Sequence, residues 1–329
     1  MPCYYPMPAI RVNGCVKVLP RTQQWLDLCR DKTKAPYINS ETGEASECFI
    51  VPCGQCIGCR LEHSRQWANR CMLEALDYPE DKLWWLTLTY DEDHCPRNED
   101  GAGTLEKTDL QLFIKRLRRH MEYTINIHGI RFYACGEYGS QTWRPHYHVC
   151  LFGLPLKDAE ISGKNFRGDF FYNSDTLNKL WTNGFIQTSK LTWETCAYTA
   201  RYCLKKWHVN TKEQYEKLKI APEYTVMSRR PGISGGYYSE HMPDIYEYDS
   251  IVLPAVHGKP MDIRPPRYYD NKLKYDNPEM FSKVKEKRQR ASELAAQARK
   301  RLTTLDEDEY LMICSENAKN IEKKLPRNL

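Results

Sequence analysis

The sequence predicts an α+β domain built on a mostly antiparallel sheet of about five strands, with helices packed on one face. Three observations predict it. Segments 130–135 and 147–152 are strand-like and are joined by turn-forming residues 136–145, the layout of an antiparallel hairpin. The run Leu83–Tyr90 (LWWLTLTY) is aromatic and β-branched, as a buried strand would be. Amphipathic helical patterns are interspersed irregularly with these strands, which disfavours a regular βαβ arrangement.

In chain order, residues 1–45 read as irregular, with scattered Pro, Gly and Cys, and 48–59 (CFIVPCGQCIGC) is a dense cysteine segment. Residues 60–76 lack Pro and Gly, and Trp67, Cys71 and Leu73 share one side of a helix. After the strand at 83–90, residues 91–104 form a charged loop. Thr108 or Asp109 caps a helix over 110–121, with Leu110, Phe113, Ile114 and Leu117 on one face. A short helix is expected at 175–181, a strand at 185–191 and an apolar-periodic helix at 195–207. Residues 213–220 read as helix, 228–270 as extended and turn-rich, and 278–302 as a polar, basic helix. The expected organisation is a Cys-rich segment at 1–60, the sheet domain at 61–260 and a helical extension at 261–329.

Composition narrows the class. The 329 residues carry a formal net charge of only +5, so the distribution of charge says more than its sum. The basic stretches 113–119 (FIKRLRR) and 283–301 suit a phosphate backbone or a solvated helix face equally. No run approaches the ~18 apolar residues of a membrane span, and the start of the chain lacks a secretion-signal layout. A cytosolic chain is expected, whose 14 cysteines are thiols or metal ligands.

The segment RPHYHVCLFG (144–153) carries the first chemistry. Side chains alternate along a strand, so His146 and His148 share a face while Tyr147, Val149 and Leu151 share the other. Glu137 ends the preceding strand, and hairpin pairing would bring it beside the imidazoles. Two His and one carboxylate leave coordination positions open, the layout of a catalytic rather than a closed structural site; the ion expected there is Mg²⁺ or Mn²⁺. The segment YTARYCLKK (198–206) carries the second. Tyr198 and Tyr202 are four apart on a helix and neighbours on its surface, and Arg201 and Lys205 each lie three residues beyond a phenol. A tyrosine with a polarised phosphate and a cation nearby is a plausible nucleophile. Read singly, these patterns also fit an ordinary strand and an ordinary core. Their succession along one chain outweighs that reading.

Cys53, Cys56 and Cys59 form C-x2-C-x2-C, with Gly54 and Gly58 easing the turn. Three thiolates so spaced can wrap a structural Zn²⁺, with Cys48 taken as fourth ligand and Cys3, Cys15 or His63 as alternatives. An iron–sulfur centre or simple reduced thiols share the spacing.

These blocks resemble rolling-circle replication initiators of the HUH class, in order: LTLTY (86–90), PHYHVCLFG (145–153) and YTARYCLKK (198–206). With VPCGQCIGCR (51–60), SRRPGISGGYY (228–238) and PPRYYD (265–270), the resemblance is to the replication initiators of gokushoviruses, microviruses that infect bacteria, over residues 48–270. It implies an HUH endonuclease-like fold and a metal-dependent endonuclease that nicks and rejoins single-stranded origin DNA. In that scheme Tyr198 and Tyr202 are the nucleophiles, His146, His148 and Glu137 the metal ligands, and a host helicase and polymerase the partners, in the bacterial cytoplasm. Arg201 stands where a lysine is commoner, so Arg201, Lys205 and Lys206 all remain candidates for the assisting cation. DNA contacts are expected from Tyr90, Tyr138 and Trp143 as stacking platforms and from Lys115, Arg116, Arg118, Arg119 and Arg144 as phosphate ligands. Competing readings are an HUH transposase or relaxase and a non-catalytic zinc-containing nucleic-acid-binding protein. Relaxases usually place the tyrosine before the His motif, and transposases of this class are much shorter.

Overall fold

The computed structural model describes residues 3–30, 37–38, 43, 45–139, 142–165, 168–202, 209–256 and 259–324. The chain forms two compact units: Met1–Glu62 with Arg301–Asn328, and His63–Lys300. The first contains β1 (Met7–Val12), β2 (Cys15–Val18), α1 (Gln23–Arg30), β3 (Tyr37–Ile38), β4 (Ala45–Ser46) and β5 (Cys48–Val51). β1 lies between β2 and β5, antiparallel to both. Residues 1–45 were expected to be irregular. Among the described ones, β1 and β2 form a sheet with β5, and Ala9 and Ile10 of β1 are buried, as are Leu26 and Cys29 of α1. α2 (Ile57–Ala75) contributes residues to both units.

The second unit continues with β6 (Leu83–Tyr90), α3 (Lys107–Ile125), β7 (Arg131–Tyr138), β8 (Pro145–Phe152), β9 (Glu160–Lys164), β10 (Phe170–Asn173), α4 (Asp175–Leu180), β11 (Gly184–Lys190), α5 (Trp193–Tyr202), α6 (Val209–Leu218) and β12 (Tyr224–Met227). α7 (Gly235–Tyr248), β13 (Ile251–Val256), β14 (Lys259–Ile263), α8 (Arg267–Asp276) and α9 (Pro278–Leu302) follow. Its sheet has seven strands in the order β12-β7-β8-β6-β11-β10-β9, every pairing antiparallel. About five were expected. The strands with no counterpart in the sequence reading are β12 and the hairpin β9–β10, which are short, lie toward the sheet's margins and bury little, so they carry no apolar alternation to read.

Helices were expected on one face of the sheet, but period-2 alternation builds an apolar core on each face. On one face Leu86, Leu88 and Tyr90 of β6 and Tyr147, Val149 and Leu151 of β8 pack with Leu110, Phe113, Ile114 and Leu117 of α3. On the other, Trp85, Tyr133, Cys150 and Phe152 pack with Ala68, Cys71 and Ala75 of α2 and Cys196, Ala197 and Ala200 of α5. Helices therefore cover both faces, and β8 is buried along almost all of its length. Gly136 lets the strands pack closely here: it pairs opposite Tyr147, and an added Cβ would lie 3.0 Å from the Leu105 side chain and 3.1 Å from the Tyr147 ring.

Two local readings change. The helix α3 is capped by Glu106, whose carboxylate accepts from the Thr108 N–H, not by Thr108 or Asp109. Residues 228–270 were expected to be extended and turn-rich; β13 and β14 are extended, but α7 and α8 are helices, and Gly235, Gly236 and Pro243 disguise α7, whose Tyr238, Ile245 and Tyr246 are buried with Tyr269 and Leu273 of α8. The expected helices at 175–181 and 278–302 appear as α4 and α9.

The last helix, α10 (Glu307–Lys324), belongs to the first unit. Its Asp308 accepts from Arg30 at 3.0 and 3.1 Å and from Arg21 at 3.0 Å. These guanidinium groups, Arg30 foremost, hold the Asp308 carboxyl below the usual carboxylate range. Because the folded value is depressed, the stabilisation is present above the unfolded value of ~3.9 and is lost as pH falls through the folded one. Asp308→Asn should therefore cost about 0.5–1 kcal/mol at pH 7, as a part-exposed pair does. Denaturant unfolding should show that difference shrinking as pH is lowered below the unfolded carboxyl value and through the depressed folded one. In the larger unit, Phe113→Ala should cost about 3–5 kcal/mol by denaturant unfolding, since the ring is fully buried against Trp181.

Candidate metal centre

Strand register creates the site. In the β7–β8 pair Glu137 stands opposite His146 and Cys135 opposite His148; in the β6–β8 pair Thr89 stands opposite His146 and Thr87 opposite His148. All six side chains belong to one face. Glu137 Oε1 lies 2.7 Å from His146 Nε2 and 3.0 Å from His148 Nε2. Glu137 and His148 are buried, and His146 is the partly open edge.

The far side of each imidazole is also fixed. His146 Nδ1 lies 3.1 Å from the Arg144 carbonyl, and His148 Nδ1 lies 3.1 Å from Thr87 Oγ1. Trp85 stacks on His148, with ring centroids 4.9 Å and planes 6° apart, and donates its indole N–H to Thr199 Oγ1 at 2.9 Å. A ligating histidine oriented through its second nitrogen is the usual support of a metal site.

The donor set fits a divalent cation. A carbonyl can only accept, so His146 Nδ1 carries a proton, and Nε2 meets the Glu137 carboxylate either with a second proton or with its lone pair. Burial holds the His148 imidazole below its ordinary pKa. Burial pushes the Glu137 carboxyl up, but His148 and His146 more than reverse this and leave it below the usual range. Glu137 Oε2 is buried with no hydrogen-bond partner among the described residues. One cation would satisfy both lone pairs and the carboxylate. Octahedral ligands at 2.0–2.1 Å sit about 2.9 Å from their cis neighbours, close to the nitrogen–oxygen separations found here.

Tyr198 of α5 lies on this same face. Its ring stands perpendicular to His148, centroids 4.9 Å apart, and 5.9 Å from Trp85. It is 7% exposed. The Arg201 guanidinium carbon lies 5.9 Å from the Tyr198 ring centroid. α5 ends at Tyr202, whose side chain lies outside the described residues, as do Lys205 and Lys206.

The expected DNA contacts are not brought together. Tyr90 is fully buried on the α3 face, its hydroxyl bonded to Asp109 at 2.7 Å and Tyr147 at 2.8 Å, so it cannot serve as a stacking platform. Tyr138 is buried too, donating to the Ala221 carbonyl, whereas Trp143 is exposed. Lys115, Arg116, Arg118 and Arg119 ride on α3, on the sheet face opposite the imidazoles. Arg116 and Arg118 are engaged by the carbonyls of Leu180 and Ile130, while Lys115 and Arg119 are exposed. Arg144, beside the site, binds the Tyr90 carbonyl and Glu92.

The cysteine cluster forms with a different fourth member. Sγ atoms of Cys3, Cys53, Cys56 and Cys59 lie within 4.8 Å of one another. Cys48, expected as the fourth ligand, is not among them; β5 carries it to Cys29 instead, with which its thiol interacts. The Cys3 thiol holds Cys56 well below the ordinary thiol value, and Cys3 is raised in turn.

The family model for replication-associated protein ORF2/G2P matches residues 83–207, which span β6, the His pair and α5. The chain is 34% identical over 281 residues to the replication-associated protein ORF2 of Spiroplasma virus 4, covering 85% of each chain. It belongs to the phage replication-associated proteins. Two further members of this microvirus-type family are similar: the replication-associated protein VP4 of Bdellovibrio phage phiMH2K, 28% identical over 82% of both chains, and ORF4 of Chlamydia phage 1, 31% identical over 62% of this chain and 50% of that one. No solved structure matches.

Sequence reasoning missed Trp85, Thr87 and Thr199. The first two were accessible in part, because LWWLTLTY places residues 85, 87 and 89 on one face; which strand that face meets is not. If Glu137, His146 and His148 take up Mn²⁺, Thr87→Val should lower its affinity about tenfold to a hundredfold by freeing the His148 ring. Isothermal titration calorimetry checks this, and unchanged affinity would remove Thr87 from the site.

Proposed function

We propose that this chain is a rolling-circle replication initiator: a metal-dependent endonuclease of the HUH class, with an HUH-like sheet, that nicks and rejoins single-stranded phage origin DNA. The observation carrying the proposal is Tyr198 standing against His148 on the face that gathers Glu137, His146 and His148. Composition alone would not suggest it, and membership of the phage replication-associated family supports it.

In this reading His146, His148 and Glu137 hold Mg²⁺ or Mn²⁺, which when bound supplies Lewis-acid polarisation of the scissile phosphate. Trp85, Thr87 and the Arg144 carbonyl keep the imidazoles aimed inward. The Tyr198 oxygen attacks phosphorus. The phenolic O–P bond forms and the P–O3′ bond breaks, giving a 5′-phosphotyrosine and a free 3′-OH for a host polymerase. The phenolic proton passes to solvent and the departing 3′ oxygen takes one up. Arg201 favours negative charge at the phenol, with Lys205 as a further cation. Tyr202, one helical turn on, performs the second cleavage, and rejoining releases circular single strands. A host helicase would supply unwound DNA in the bacterial cytoplasm.

Incubation with Mn²⁺ and a labelled single-stranded oligonucleotide containing the cognate phage origin should yield a covalent protein–DNA adduct. Tyr198→Phe/Tyr202→Phe should abolish it, and His146→Ala should abolish it while the fold is retained. An adduct surviving in the double tyrosine variant would refute the assignment. Tight binding without any adduct would favour a non-catalytic binding module.

A further inference from the structure

We infer that Cys3, Cys53, Cys56 and Cys59 form a second metal site, a closed tetrathiolate that binds one structural Zn²⁺ independently of the Glu137–His146–His148 centre. Four thiol sulfurs meet from two distant stretches of chain, with all their Sγ atoms within 4.8 Å. A tetrahedral zinc with Zn–S bonds of about 2.3 Å sets its sulfurs about 3.8 Å apart. The Cys3 and Cys56 sulfurs are 4.0 Å apart. A four-iron cluster holds its cysteine sulfurs farther from one another, so the spacing fits a single ion.

The surrounding backbone is arranged for thiolates. The Tyr4 N–H donates to Cys56 Sγ at 3.3 Å, the Cys53 N–H to Cys3 Sγ at 3.2 Å and the Cys56 N–H to Cys53 Sγ at 3.3 Å. Gly54 has φ +76, the left-handed turn that bends Cys53 and Cys56 onto one centre. Cys56 immediately precedes α2 and Cys59 lies in its first turn, where helix N–H groups favour negative sulfur. Cys3 is buried, and Cys53, Cys56 and Cys59 are half-buried. Four protein ligands leave no open position, which makes the site structural. It would fasten the N-terminal residues to the start of α2.

Elemental analysis of the purified full chain tests this. One zinc per chain is expected, falling toward zero in Cys3→Ser and Cys56→Ser and unchanged in Cys48→Ser, Cys29→Ser and His146→Ala. Because Cys3→Ser could disturb folding, the second measurement keeps all four cysteines. Co²⁺ added to metal-stripped His146→Ala protein should give the strong d–d and sulfur-to-metal charge-transfer bands of a tetrahedral tetrathiolate. Zinc content unchanged in Cys3→Ser would overturn the ligand set. Absence of those cobalt bands, a Cys3–Cys56 disulfide in freshly reduced protein, or iron with acid-labile sulfide in place of zinc would overturn the site.

Discussion

A carboxylate buried against two imidazoles is the constraint around which the larger unit is organised. Glu137 is 2% exposed, and an unpaired charge so placed would be very costly. Only the observed register prevents that: Glu137 opposite His146, with His148 two residues on. A one-residue slip in β8 would turn Tyr147 toward Glu137 and drive the histidines into the α3 core. That slip is blocked on the far face, where the Tyr147 hydroxyl accepts from the Glu106 N–H and donates to the Glu106 carbonyl, and its ring fills the space over Gly136. The apolar face thus fixes the register on which the polar face depends.

The same alternation explains what could be read in advance. His146, His148 and Glu137 were legible because a hairpin with period-2 side chains needs only local sequence. The tyrosine helix was legible from its spacing, and its position over His148 came through the order of motifs rather than through geometry. Tyr90 was misplaced because an aromatic near a motif looks the same whether it faces solvent or core. Its companion Asp109, which bonds the hydroxyl, lies in α3 and is reached only through tertiary packing. The basic stretch of α3 was legible as charge, but which sheet face the helix covers is decided by Phe113 and Leu117, not by the cations.

The cysteine segment divides in the same way. C-x2-C-x2-C announces three sulfurs by spacing alone. The fourth depends on how β1 pairs with β5: Ile10 stands opposite Cys48, and Met7 opposite Val51. That register sends residue 3 toward the cluster and leaves Cys48 beside Cys29. Long-range pairing of this kind has no local sequence pattern.

The hairpin β9–β10 leaves β9 at one end of the seven-stranded sheet, with no strand among the described residues pairing along its outer side. An open margin of this sort invites a second chain to add on, and sheet proteins blunt it with charge and irregularity. β9 has both: Glu160 and Lys164 at its ends, glycine at 163, and a break in its pairing to β10 between Phe171 and Tyr172. Exchanging Glu160 and Lys164 for valine would remove the charges and leave apolar side chains at both ends of the strand, beside the exposed Ile161, with only Gly163 and the pairing break still blunting the edge. The chain would then be more inclined to self-associate edge to edge.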